Sequence, residues 1–195
     1  MRAIDRLLDT QVTYGKVRFR IVDLIFAAVM LALGLVFRLY LYDILSGDYT
    51  MFLENWMREC REAGGFAYLG ITPGESDAST INYNVMYQYV IVMLNALSNG
   101  ENEMYLIKTV SVIFDIVCGV AASRIAYHVT GQDIRKAVFA FGCVMLLPTS
   151  ALNSGAWSQN DSMYGAFLLL SFLHFMKGDS NRGFIYFAVS YIFKQ

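Results

Sequence analysis

Three carboxylates in this chain sit where a carboxylate needs a reason. Asp48 lies in SGDYTMFLENW (46–56), between a glycine and a tyrosine, a few residues past a long apolar run and just before an amphipathic pattern. An acid there either accepts hydrogen bonds from free N–H groups at the start of the coming helix or acts as a proton acceptor held at a membrane surface. Asp161 lies in NSGAWSQNDSMYG (153–165), where Asn153, Trp157, Gln159 and Asn160 gather ahead of another apolar run. Asn160, Asp161 or Ser162 fits there as a cap. A short connection between membrane segments nevertheless has little structural use for Trp, Gln and Asp together, and the set suits the hydroxyls and ring face of a sugar. Asp115, in VIFDIVC (112–118), is embedded in an apolar run. An ionised carboxylate near mid-bilayer costs at least ~2.5 kcal/mol on insertion scales, so Asp115 requires a partner or a proton. Lys108 is two turns away on the same face, with Arg38 and Lys194 on other segments as alternatives, and a tie between helices is the favoured role.

The remaining reactive types form no constellation. Cys60, Cys118 and Cys143 show no CxxC spacing. His128 and His174 have no second ligand at metal spacing, so no metal or other cofactor is indicated. With 56% hydrophobic and only 16% charged residues, the chain is more apolar than soluble domains, where about 25% of residues are charged. It reads as an all-α integral membrane protein. The net charge of −1 leaves no basic footprint for nucleic acid, so the partners expected are membrane lipid and lipid-linked molecules.

These residues have to be positioned by membrane segments. A transmembrane helix needs about 20 predominantly apolar residues; 24–42 and 104–129 meet that, while 137–152, 163–176 and 184–193 are shorter. The run 85–97 is expected to lie at the outer surface or to re-enter, because a second crossing there would put Arg135 and Lys136 on the wrong side. Short cytoplasmic loops carry excess Lys and Arg. Arg2, Arg6, Lys16, Arg18 and Arg20 therefore place the N-terminus inside, and the acid-rich stretch after Tyr42 outside. Phe52, Leu53, Trp56, Met57 and Cys60 recur at helical spacing ahead of Gly64-Gly65, which predicts an amphipathic helix lying on the bilayer, and Pro73-Gly74 predicts a turn. The organisation expected is a cytoplasmic segment (1–20), a first span (24–42), an outer loop with surface helices (43–103), and second to fifth spans (104–195), the last incomplete.

Four stretches then resemble, in order, the GT-C membrane glycosyltransferases, which take sugars from polyprenyl phosphates. SGDYTMFLENW resembles the GDY motif of the first outer loop with its following Trp-bearing helix. INYNVMYQY (81–89) stands where a proline-initiated helix is usual, with Asn84 and Val85 in place of the prolines. LNSGAWSQNDS (152–162) resembles the W-x-Q-x-D-S element of bacterial relatives, and FKQ (193–195) a later Lys-Gln pair. The resemblance implies the N-terminal part of a bacterial mannosyl- or glucosyltransferase-like enzyme of the plasma membrane, with its active face outside. Such an enzyme moves a hexose from a polyprenyl-phosphate donor to a lipid-linked or cell-envelope glycan or glycolipid acceptor. It implies Asp48 as catalytic base, and Tyr49, Trp56, Trp157, Gln159, Asp161, Lys194 and Gln195 as substrate-binding residues. It also implies that this stretch is inactive without the remaining C-terminal part of the enzyme. The rival reading is a non-catalytic polytopic membrane protein or transporter fragment in which Asp48 and Asp161 are caps.

Overall fold

The computed structural model describes residues 8–14, 17–70 and 84–194. Arg2, Arg6 and Lys16 of the basic segment, the Pro73-Gly74 turn, residues 81–83 ahead of Asn84, and Gln195 lie outside the described residues.

The fold is helical apart from one feature that the reading of 1–20 as a basic segment did not anticipate. β1 (Gln11–Tyr14) pairs antiparallel with β2 (Val17–Arg20), Gln11 opposite Arg20. Val12, Thr13, Val17 and Phe19 on either side of a glycine are the strand signal. β2 runs straight into α1 (Ile21–Tyr40). There Arg20 donates its backbone N–H to Asp23 Oδ2 (3.0 Å), and its guanidinium bonds Asp23 (3.0 Å) and Asp9 (3.2 Å).

α1 and α4 (Glu103–Val129) are the two described helices long and apolar enough to cross a membrane. Between them come α2 (Glu54–Glu62), entered through a π-helical stretch (Tyr49–Leu53), a 3₁₀ stretch (Gly65–Gly70), and α3 (Val85–Leu97). α5 (Ile134–Met145) and α6 (Pro148–Gly155) meet at 48°. The bend has a plain cause: Pro148 lacks an N–H and drives Leu147 out of helical geometry, to ψ 116°. α7 (Asp161–Met176) and α8 (Ser180–Lys194) follow.

Contacts define two ends of the bundle. At one, Tyr105 of α4 donates its hydroxyl to Asp43 Oδ1 (3.0 Å), just after α1. At the other, Arg20 and Asp23 share a cavity wall with Arg135 and Lys136 of α5, and His128 near the end of α4 bonds the Met176 carbonyl at the end of α7 (3.2 Å). The chain therefore runs up α1, down α4, up α5–α6, down α7 and up α8. Asp43, Asp48 and Glu101 fall at one end, and Arg124, Arg135, Lys136, Lys177 and Arg182 at the other.

A polar knot ties the interior. Arg38, fully buried, donates from Nε to Asp115 Oδ2 (2.8 Å) and Ser154 Oγ (3.3 Å), and from its terminal nitrogens to the carbonyls of Gly34 (3.0 Å) and Met145 (2.7 Å) and to Ser150 Oγ (3.0 Å). Ser154 in turn donates to Asp115 Oδ2 (2.6 Å). Asp115 thus has its partner, and it is Arg38. Lys108 goes elsewhere, donating to the carbonyls of Tyr42 and Ile44 (2.7 Å each). Close helix approach makes the knot possible: a Cβ on Gly34 would lie 2.8 Å from the Met145 carbonyl oxygen.

A second, apolar core lies beneath α2. Leu53, Trp56, Met57 and Cys60 are buried against Tyr68, Tyr87, Ile91 and Phe193. The amphipathic helix forms as its spacing predicts, but its apolar face packs on α3, the 3₁₀ stretch and α4 and so meets protein where a helix lying on a bilayer would meet lipid. Asn95 Nδ2 fixes the packing by donating to the Met57 carbonyl (2.8 Å), and Arg61 pairs with Glu103.

Removing one member of a buried pair strands the other, at a cost of about 3–5 kcal/mol, whereas replacing both with apolar groups is far less costly. Arg38→Leu should therefore lower the Tm in detergent sharply, and the Arg38→Leu/Asp115→Leu double variant should recover much of the loss. A double variant no better than Arg38→Leu would contradict this account of the knot.

Candidate functional site

The helix that carries Asp48 is capped by Ser46. Ser46 Oγ accepts the Tyr49 N–H (3.2 Å) at the usual spacing of three residues and donates to the Trp157 carbonyl (3.0 Å). Asp48 itself has helical backbone angles and makes no side-chain capping bond. Its Oδ2 accepts instead from Gln159 Nε2, so the two polar stretches meet across the bundle end, 111 residues apart.

Gln159 is held from both sides. Ser158 turns the chain with φ 61°, which lets the Gln159 N–H reach the Asn153 carbonyl (3.0 Å) while the Gln159 carbonyl accepts from Ser111 Oγ of α4 (2.8 Å). Ser162 Oγ returns a bond to the Ser111 carbonyl (2.9 Å). Lys108, buried one turn earlier on α4, grips the Tyr42–Ile44 backbone that leads into Ser46. α4 thereby positions both halves of the site.

Asp48, Ser158, Gln159 and Asn160 form the polar side of a cavity of about 130 Å³. Phe52, Leu53, Trp56 and Tyr87 form its apolar side, with the Trp56 ring tilted against Phe52 (6.1 Å between centroids) and edge-on to Tyr87 (6.4 Å). Ser158 Oγ and Asn160 Oδ1 are buried and meet no hydrogen-bond partner among the described residues. An unpaired buried polar atom costs about 1–3 kcal/mol. Both residues stand beside the Asp48 carboxylate in the cavity wall. Sites for whole drug-sized ligands occupy about 300–1,000 Å³, so this cavity suits the hydroxyl-bearing part of a larger molecule.

Asp161 lies elsewhere. With Asp115, Asn153, Trp157 and Ser162 it lines a second cavity of about 480 Å³, and it accepts from Asn153 Nδ2 (3.2 Å). The 157–160 segment contributes Trp157 to that cavity and its next three residues to the first. Of the residues implied by the resemblance, Asp48, Trp56 and Gln159 are brought together and Trp157 and Asp161 form a neighbouring group. Tyr49 lines neither cavity; it is buried in the core beneath α2, where burial pushes its phenol above the ordinary value. Lys194 ends α8, and Gln195 lies outside the described residues. Asn160 does not cap α7 with its side chain.

Ser46, Tyr87, Lys108, Ser111 and Ser158 were not singled out for this site by sequence. Ser46 was findable, since a serine three residues before Tyr49 is a cap signature; the others depend on contacts between distant segments. Among the described residues, no group of three or more His, Cys, Asp or Glu is placed to hold a metal ion. No protein-family model, curated protein or solved structure matches this chain.

The cap assignment can be checked directly. Ser46→Ala should cost about 1 kcal/mol of stability, and Asp48→Asn, which keeps an oxygen for Gln159, should stay within about 0.5 kcal/mol of wild type. Thermal unfolding in detergent that shows the reverse order would return the cap to Asp48.

Proposed function

We propose that the chain forms part of a polytopic membrane glycosyltransferase resembling the GT-C enzymes, one that moves a hexose from a polyprenyl phosphate to a hydroxyl of a glycan or glycolipid. The observation that carries this reading is the meeting of Asp48 and Gln159 at a cavity with the unpaired Ser158 Oγ and Asn160 Oδ1. The rival in which Asp48 is only a cap loses its footing, because Ser46 makes the capping bond.

Asp48 acts as general base. Its carboxylate takes the proton of the acceptor hydroxyl as that oxygen bonds to the anomeric carbon, and the sugar–phosphate C–O bond breaks with its electron pair leaving on the lipid phosphate. One displacement of this kind inverts the anomeric centre. Gln159, pinned at both backbone groups, aims the carboxylate, since positioning of reacting groups carries much of such catalysis. Ser158 and Asn160 bind the acceptor around the reacting hydroxyl, and the Trp56 and Tyr87 rings exclude water. The cavity with Trp157 and Asp161 takes the remainder of a glycan.

In this reading five passages cross the bilayer: α1, α4, the bent α5–α6 pair, α7 and α8. Support comes from the large apolar side chains these helices expose, among them Leu33, Val36, Ile113, Phe139, Phe172 and Phe187, which a soluble surface rarely carries in such numbers. Arg18, Arg20, Arg124, Arg135, Lys136, Lys177 and Arg182 gather at one end, where the Asp48 end has Arg58 and Arg61 among more numerous acids, which makes the basic end cytoplasmic and turns the Asp48 end outward.

Two measurements test this. In membranes from cells expressing the gene product, Asp48→Asn should reduce hexose transfer from a polyprenyl-phosphate hexose by about 10²–10⁴-fold, the usual worth of general-base catalysis, with protein level unchanged. Transfer above about a tenth of wild type would refute the role of Asp48. For orientation, in a background lacking Cys60, Cys118 and Cys143, a cysteine at Glu101 should react with an impermeant maleimide on intact cells, and one at Arg182 only after permeabilisation. The opposite pattern would invert the topology.

A further inference from the structure

Another cavity-forming cluster lies at the far end of the bundle and takes no part in the proposed reaction. Ser123, Arg124, Tyr127 and His128 from the end of α4, Gln132 from the connection, and Lys177 after α7 line a recess of about 380 Å³ with the start of α5. No carboxylate lines it. The acids nearest in sequence are spent elsewhere: Asp133 caps α5 by accepting the N–H groups of Arg135 (3.0 Å) and Lys136 (3.4 Å), and Asp179 pairs with His174 (3.4 Å) and Arg182 (3.5 Å). The Arg124 and Lys177 side chains meet no acid among the described residues. His128 ties the recess together through its bond to the Met176 carbonyl (3.2 Å).

From this geometry we infer that the recess binds the phosphate of an anionic phospholipid headgroup. The depth is right for a lipid. α4 has 27 residues, about 40 Å at 1.5 Å per residue, against a hydrocarbon core of about 30 Å, so its last turn stands at headgroup level and the long Arg124 side chain, just beneath, reaches up to it. The flanks are right as well, since the elements around the recess expose Val129, Phe139 and Phe175, on which acyl chains pack. Basic recesses between membrane helices recognise anionic headgroups by charge and hydrogen bonding together. Arg124 offers a fork of N–H donors to phosphate oxygens and Lys177 a compact charge, with Ser123 and Tyr127 hydroxyls beside them. The site rests on the reading of α4 as a membrane span and is independent of sugar transfer.

The test is lipid retention by the full chain reconstituted in nanodiscs of phosphatidylcholine with or without phosphatidylglycerol, read by native mass spectrometry after release into detergent. Wild type should retain phosphatidylglycerol in preference to phosphatidylcholine. Arg124→Gln/Lys177→Gln should lose that preference by roughly thirtyfold, taking each basic side chain at its usual worth near an anionic surface. Arg124→Lys/Lys177→Arg should keep most of it, and Arg58→Gln, at the opposite end, should keep all of it. Equal retention of both lipids by wild type, or unchanged preference in the double glutamine variant, would overturn the site. Binding of inorganic phosphate that phosphatidylglycerol does not displace would overturn the lipid assignment. Wild type that fails to enter nanodiscs would remove the span and the site together, while leaving the Asp48 transfer assay to stand or fall on its own.

Discussion

The structure depends on one buried guanidinium. Arg38 sits near the end of an apolar helix, where a charge without partners would be expelled. It stays because its donors meet Asp115, two serines and two backbone carbonyls, drawn from α1, α4, α5 and α6. Its place in the last turn of α1 also sets a positive charge against the helix's carbonyl end. Between apolar helices in lipid there is little hydrophobic drive for association, and packing together with interhelical hydrogen bonds takes over. In the proposed membrane setting the Arg38–Asp115 knot is such a junction, and the close approach at Gly34 and at Gly155, whose Cβ would lie 3.0 Å from the Arg38 carbonyl oxygen, shows how tightly the helices must pack to close it.

The candidate site hangs from this junction. Ser150 and Ser154 lie on α6, so fixing them to Arg38 fixes the helix whose end projects Trp157 to Asn160. α4 contributes Asp115 to the knot, and one or two turns away it contributes Ser111 to Gln159 and Lys108 to the loop before Ser46. Asp48 and Gln159, remote in sequence, are thus set against each other by the same helix that anchors the core. The left-handed turn at Ser158 and two unpaired buried polar atoms are costs that packing alone gives no reason to keep, and they lie at the cavity where the proposed chemistry occurs.

Much of this was legible in the residues. Apolar runs of span length gave α1 and α4, the 3.6-residue spacing of Phe52 to Cys60 gave α2, and the embedded Asp115 demanded a partner or a proton. What the sequence left open was set by distance. Lys108 lies on the face of Asp115 but two turns away, with Arg38 and Lys194 as alternatives on other segments, and helix packing chose Arg38. The apolar face of α2 looks the same whether it meets lipid or protein, and only the approach of Tyr68, Tyr87 and Phe193 decides for protein. Asp48 stood between capping and chemistry because a serine two residues earlier competes for the cap, and local spacing alone ranked neither. Asp161 was grouped with Asp48 on shared chemistry, yet it lines the cavity of Trp157 while Asp48 shares its own with Ser158, Gln159 and Asn160.

The central claim is that Asp48 receives the proton of an acceptor hydroxyl in the cavity it shares with Ser158, Gln159 and Asn160. The most direct measurement is a cryo-EM structure of the gene product with a polyprenyl-phosphate hexose and an acceptor glycolipid, using an antibody fragment for alignment. The account predicts an acceptor hydroxyl within about 2.6–3.2 Å of an Asp48 carboxylate oxygen, with Ser158 Oγ or Asn160 Oδ1 bonded to the same acceptor. An acceptor bound wholly on the Asp161 side, with the Asp48 cavity unchanged, would contradict it.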